Sequence, residues 1–193
     1  MNSLVWLRTD LRIDDNPALK NACIKSKSVE VIYVFCETQT KNHNEANCKI
    51  DFLIRSLKDL SKTLDKKNII LTVLKSKNML GMPQLILDYC KKRKVKRLFF
   101  NNEFGDDEKN RDEAVKALLK NNEIIIESFH DKVVFEPGFL KTGQGKPFSV
   151  FTPFKRRWIE NFKMELLDID FNYPTFERLD IKSNINEYNF DFK

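Results

Sequence analysis

The stretch VKRLFFNNEFGDDEKNRDEAVKALLKNNEIIIESF, residues 95–129, carries the decisive pattern of this chain. Its ends, 95–100 and 124–129, are short, nearly continuous apolar runs rich in β-branched and aromatic residues, which reads as strands buried on both faces. Between them, residues 107–119 have the spacing of a helix. A strand, a crossover helix and a second buried strand form the unit that builds parallel sheets. The same alternation extends toward the amino terminus, with strand 69–74 and helix 82–92. Before these, Ile50, Leu53, Ile54, Leu57, Leu60 and Leu64 recur three or four residues apart and mark one apolar stripe on a long helix over 49–64. Residues 29–35 (VEVIYVF) and 3–7 (SLVWL) supply two more strands, and Asn16 followed by Pro17 is a helix start. The expectation is an α/β fold with a doubly wound, five-stranded parallel sheet. Ligands of such sheets sit beyond the carboxyl ends of the strands, so the loops after Leu7, Phe35, Phe100 and Phe129 are where function is sought.

After Asp131 the alternation stops. Residues 133–148 hold Pro137, Gly138, Gly143, Gly145 and Pro147 and read as irregular, and a last helix is expected near Thr152, with Thr152 as N-cap and Pro153 in the first turn. Beyond about Leu167 aromatic residues are scattered without period, the pattern of a linker or an arm that needs a partner. The 193 residues leave room for one domain plus a tail, here divided as 1–166 and 167–193. Cys23, Cys36, Cys48 and Cys90 show no C-x-x-C spacing and only His43 and His130 accompany them, so no metal site is expected. No apolar stretch approaches a membrane span and the start does not have the order of a signal peptide, so a reducing, cytoplasmic compartment is expected. The net charge of +6 permits contact with nucleic acid without requiring it.

Several local patterns invite chemistry. TGQGK, residues 142–146, has the glycines and lysine of a phosphate loop but not its spacing, and reads as a turn. KKRKVKR, residues 91–97, is either a nucleic-acid patch or a helix end whose cations complement the dipole, the second being the simpler reading. Glu103, Asp106, Asp107 and Glu108 follow the strand ending at Phe100, where they would bind a cation or a basic ligand edge, or simply open a helix. Arg8, Asp10, Arg12, Asp15 and Asn16 concentrate charge on the first loop, either ordering the turn among themselves or holding a partner or an anion.

This first loop is also where a resemblance appears. VWLRTDLRIDDNPAL, residues 5–19, resembles the amino-terminal signature of the DNA photolyase and cryptochrome family, and GKPFSVFTPFKRRW, residues 145–158, is similar to the segment closing the same domain. KIDFLIRSLKDL (49–60) and LFFNNEFGDDEKNRDEAV (98–115) are similar to the first long helix and the fourth strand with its helix, so the resemblance covers about 4–162. It implies a Rossmann-like domain with helices on both faces of the sheet, which in many members holds a light-harvesting antenna pigment. The larger helical domain that binds flavin adenine dinucleotide (FAD) and repairs pyrimidine dimers in DNA is absent from this chain, which alone is expected to be inert. That helical domain is the implied partner, with DNA reached through it. The implied antenna is a reduced folate, 5,10-methenyltetrahydrofolate, with a deazaflavin as the alternative. Residue by residue, His43 and Asn44 match the loop near the pigment, and Glu108 matches the glutamate that accepts from the pterin ring. Asp107 stands where folate-binding relatives usually have asparagine. The signature residues Arg8, Asp10, Arg12, Asp15 and Asn16 are implied to serve the interdomain region. A stand-alone ligand-binding or partner-docking module is the alternative function.

Overall fold

The computed structural model describes residues 1–42, 44–164 and 171–188. Five strands, β1 (Asn2–Leu7), β2 (Ser28–Cys36), β3 (Ile70–Ser76), β4 (Arg97–Asn101) and β5 (Ile125–Phe129), form one sheet in the order β3-β2-β1-β4-β5. Every pair is parallel. The chain winds outward from β1 to β3 and then returns to place β4 on the other side of β1. The strand order therefore reverses between β1 and β4, and a crevice opens there at the carboxyl ends.

Helices α1 (Pro17–Lys25) and α3 (Asn47–Asp65) cover one face of the sheet, and α4 (Met82–Arg93) and α5 (Asp106–Lys120) cover the other. Successive side chains of β1 divide between the two layers, Val5 and Leu7 on one side and Leu4 and Trp6 on the other. The central strands are consequently buried on both faces, which explains their predominantly apolar sequence, Glu30 of β2 being buried against Arg93 and Tyr89. Asn16 caps α1 by accepting from the Leu19 amide at 3.1 Å, with Pro17 in the first turn as its sequence suggests.

Three segments differ from their sequence reading. A six-residue helix, α2 (Glu37–Asn42), occupies the expected polar loop; ETQTKN has no apolar spacing, and it is tethered by Thr38 N donating to Lys77 O at 3.0 Å and Thr40 Oγ1 to Cys36 O at 3.2 Å. The last helix, α6 (Phe151–Asn161), begins one residue before Thr152, which therefore is not its cap. Its rings meet those of the irregular segment, Trp158 lying 5.7 Å from Phe135 and Phe154 5.9 Å from Phe148, and none of its residues is buried.

The tail expected to lack packing is fixed to the sheet over residues 171–188. Tyr173 and Ile185 enter the core beside α1 and α3, and the Tyr173 hydroxyl donates to Ile13 O at 2.7 Å. Asn184 pairs with both backbone groups of Val73, accepting from its N–H at 2.8 Å and donating to its carbonyl at 2.9 Å, as a neighbouring strand would. Replacing Asn184 with alanine leaves the Val73 amide unpaired and its carbonyl with only the Tyr188 hydroxyl, at 3.3 Å, and is expected to cost about 1–2 kcal/mol, read as a lower urea midpoint with an unchanged slope. A change below a few tenths of a kcal/mol would show the clamp to be ornamental.

Candidate functional site

The carboxyl ends of β1 and β2 and the loop that follows β4 border a cavity of about 320 Å³ at the reversal of strand order. Trp6, Arg8, Thr9 and Leu11 come from β1 and its loop, and the end of β2 contributes Tyr33 through Cys36. Phe52, Leu53 and Ser56 of α3 form the opposite wall, and Glu103, Glu108 and Arg111 close the side toward β4 and α5. The walls combine aromatic and aliphatic side chains with a charged flank of Arg8, Glu103, Glu108 and Arg111, and the paired Glu45 and Lys49 lie at the side toward the start of α3, a constitution that suits a flat organic ligand with polar edges. Its size suits a ring system rather than a whole dinucleotide.

The charged flank is a buried network. Arg8 lies between two rings, its guanidinium carbon 4.5 Å from the Trp6 centroid and 4.8 Å from that of Phe100, and Arg111 lies 4.8 Å from Trp6. Arg111 donates to Glu103 at 2.9 Å and to Asp112 through Nε at 2.9 Å and Nη2 at 2.7 Å. Glu103 also accepts from Lys132 and from Thr9, both at 2.9 Å. Arg8 is 3.8 Å from Glu103 and 3.7 Å from Asp112, and its Nη2 donates to the Asn101 carbonyl. Burial is the largest single influence on Glu103 and pushes its pKa up, but Arg111, Lys132, Arg8 and Thr9 together outweigh it and hold the carboxyl at about 2. Burial likewise pulls the Arg8 guanidinium below its ordinary value, opposed first by Asp112.

Three buried N–H groups on this flank have no hydrogen-bond partner among the described residues: Nε1 of Trp6 and Nε and Nη1 of Arg8. Both residues border the cavity. Burial pushes the Tyr33 phenol up to about 12, so its hydroxyl also remains a donor. Buried donors without partners are costly, and a ligand offering acceptor oxygens would satisfy them.

The signature loop has been divided among other tasks. Asp10 accepts from the Arg8 amide at 2.8 Å and from Asn101 Nδ2 at 2.7 Å, and Asn101 also donates to Asn16 Oδ1 at 2.9 Å and accepts from the Ala18 amide at 3.1 Å. Asp10 and Asn16, both buried, therefore tie β1 to β4 and to the start of α1 rather than face a ligand. Arg12 pairs with Asp131 and donates to the Asp15 carbonyl at 2.6 Å, while Asp15 itself is exposed with φ of 51°. Of the residues matched to an antenna loop, Glu108 borders the cavity, its carboxylate lying over Gly105 in the space a Cβ would fill. Asp107 borders a neighbouring groove with Thr38 and Leu80 instead. Asn44 is exposed with φ of 46°, and His43 lies outside the described residues. Trp6, Asn101, Arg111 and Asp112 were not singled out in the sequence; the one signal for Asn101 was a polar residue ending an otherwise apolar run. Among the described residues no group of His, Cys, Asp and Glu is arranged to hold a metal ion, and no helix is long and apolar enough to cross a membrane.

The family model for DNA photolyase matches residues 3–174. The chain belongs to the DNA photolyase family. The match is to the amino-terminal region of that family. Deoxyribodipyrimidine photo-lyase of Buchnera aphidicola from Acyrthosiphon pisum is 36% identical over 161 residues, covering 82% of this chain and 33% of the relative. That of Escherichia coli K12 is 32% identical over 161 residues, covering 83% and 34%. This photolyase-family chain thus spans about a third of the length of these relatives. Among solved structures, a bacterial class III photolyase from Agrobacterium tumefaciens superposes with a TM-score of 0.78 at 24% identity, covering 96% of this chain and 37% of that one. An archaeal photolyase from Sulfolobus tokodaii, described as holding two FAD molecules, superposes with a TM-score of 0.70 at 20% identity, covering 97% and 40%. At these identities the two structures speak for the fold.

Proposed function

We propose that this chain is the light-harvesting antenna domain of a deoxyribodipyrimidine photolyase, with the chromophore in the cavity bordered by β1, β2 and the loop that follows β4. The observation that carries the reading is the set of unpartnered buried donors on Trp6 and Arg8 at the wall of a cavity that also presents aromatic and aliphatic side chains. A flat heteroaromatic pigment fits both properties: its body lies against Phe52 and Leu53, and its carbonyl edge accepts from the donors. The bound pigment supplies light absorption; the residues hold and orient it and keep water away. 5,10-Methenyltetrahydrofolate is the first reading, because Glu108 at the rim accepts from the paired N–H groups of a pterin. A deazaflavin is the second, favoured by the Trp6 and Arg8 donors, which match a ring edge carrying two carbonyls.

In this reading the chain by itself performs no repair. FAD, and DNA with its dimer, are bound by a helical domain of the same parent polypeptide. The solvent-facing Phe139, Phe151, Ile159 and Met164 support a docked domain on that side, since isolated domains rarely leave so much apolar surface in water. Four free thiols agree with a cytoplasmic setting.

Titration of the chain with 5,10-methenyltetrahydrofolate, followed by pigment absorbance, tests the assignment. Saturable binding weakened about tenfold or more in Glu108→Ala supports folate. Binding of a deazaflavin that is indifferent to Glu108→Ala supports the second reading, and binding of neither pigment overturns the antenna role.

A further inference from the structure

The opposite end of the sheet has a different character. Four helices, α1, α3, α4 and α5, finish there, and the turns leading from them into β2, β3, β4 and β5 are rich in lysine. Backbone bonds fix these turns side by side: Lys27 N donates to Met1 O at 3.2 Å, Lys96 N to Asn2 O at 3.2 Å, and Ile125 N to Lys96 O at 3.0 Å. Along the sheet the sequence of cations is Lys66 before β3, Lys27 before β2, Lys94 and Lys96 before β4, and Lys120 before β5. At roughly 4.8 Å between strands the row spans roughly 19 Å.

The neighbours of these lysines do not neutralise them. Lys25 and Arg97 pair with Glu127, and Arg93 pairs with Glu30. Seven exposed lysines, the five of the row together with Lys91 and Lys92, have no side-chain partner among the described residues. Glu123 is the one carboxylate of these turns left similarly unpaired among the described residues. Seven unpaired lysines against one unpaired carboxylate already amount to an excess of six positive charges at this end, as large as the net charge of +6 for the whole chain. The simpler explanation is that the lysines offset the helix dipoles. Four carboxyl termini at roughly half a charge each need about two cations, and the row exceeds that.

We propose that this end of the domain is a docking surface for the phosphate backbone of a nucleic-acid duplex, read for charge and not for sequence. The row matches a duplex in its length and in the density of phosphates it would meet. Single strands are bound on stacking platforms, and the turns 24–27, 65–68, 91–97 and 120–124 contain no aromatic residue. An anionic membrane would call for an amphipathic helix with an apolar face, and this end of the sheet exposes only the separate apolar residues Met1, Ile24 and Ile125. The surface lies across the sheet from the cavity and does not depend on what the cavity binds.

The test is fluorescence anisotropy of the full chain with a labelled 20-base-pair DNA duplex over a range of salt concentrations. If about five lysines meet phosphates, log K falls with log salt at a slope of about −4.5. The triple variant Lys27→Gln/Lys96→Gln/Lys120→Gln is expected to lower the magnitude of that slope by about three and to weaken binding at least tenfold at low salt. A control with the same loss of charge at other exposed positions, Lys77→Gln/Lys109→Gln/Lys155→Gln, is expected to retain most of the affinity. Equal weakening by both variants, an unchanged slope in the first, no binding by the unmodified chain, or tighter binding to phosphatidylserine vesicles than to the duplex at equal salt would each overturn the proposal. Thermal melts of both variants verify that they remain folded.

Discussion

Replacing Arg8 with methionine is expected to lower the unfolding free energy by about 3–5 kcal/mol, the largest effect of any single change considered for this domain. The methionine stem fills much of the space between Trp6 and Phe100, so the cost is not mainly one of volume. It arises because Glu103 and Asp112 lose a nearby positive charge in a site with little exposure to water, and because the Asn101 carbonyl loses its donor. Arg111 and Lys132 do not supply the difference, since Arg111 already bonds Glu103 and Asp112 and Lys132 already bonds Glu103, so their charges are present whether or not Arg8 is. Arg8→Lys keeps the charge but not the flat stack on the two rings, and is expected to lose an intermediate amount. Urea unfolding followed by tryptophan fluorescence measures both variants. A loss below about 1 kcal/mol in Arg8→Met would mean that the network rearranges around the missing cation.

Acid should reveal the same network from the carboxylate side. Glu103 is held at about 2 in the folded protein against an ordinary value of 4.5. A carboxyl whose folded pKa is depressed contributes stability that is complete above its unfolded pKa and lost as the pH falls through the folded one. Between pH 4.5 and 2 the domain should therefore lose about 3 kcal/mol through Glu103 alone, shared with whatever other carboxylates lose in the same range. Glu103→Gln separates the two. The variant begins less stable at neutral pH, because Arg8 and Arg111 face an amide, but its decline between pH 5 and pH 2.5 should be shallower than that of the unmodified chain by about 2–3 kcal/mol. Parallel declines would mean that Glu103 titrates as it would in water.

The sheet was legible in the sequence because every strand contains a short, largely apolar run and each is followed by a helix or a polar loop of the right length. What escaped was structure built without periodicity. The tail reaches the core through Tyr173 and Ile185, single anchors on an extended chain, and isolated anchors leave no pattern to count. The helix over Glu37–Asn42 buries no apolar stripe and was hidden for the same reason. At the site, the density of charge on the first loop was visible but its division was not. Arg8 turns toward the cavity, whereas Asp10 and Asn16 turn inward to Asn101, which is 85 residues from Asn16 in sequence. Glu103 looked like one of four carboxylates opening a helix, although it alone is buried and takes two cations by hydrogen bond.

The side-chain clamp of Asn184 on Val73 gives the two margins of the sheet unequal fates. The β3 margin is blocked at its centre, while β5 is a short strand at the edge of the sheet with no neighbour on its outer side among the described residues. Extending a sheet from molecule to molecule without limit requires that unlike edges join head to tail, and one of that pair is closed here. Strand pairing between copies is thereby restricted to like edges, a two-fold contact that ends with the second molecule, so the domain is guarded against filament growth by a single amide.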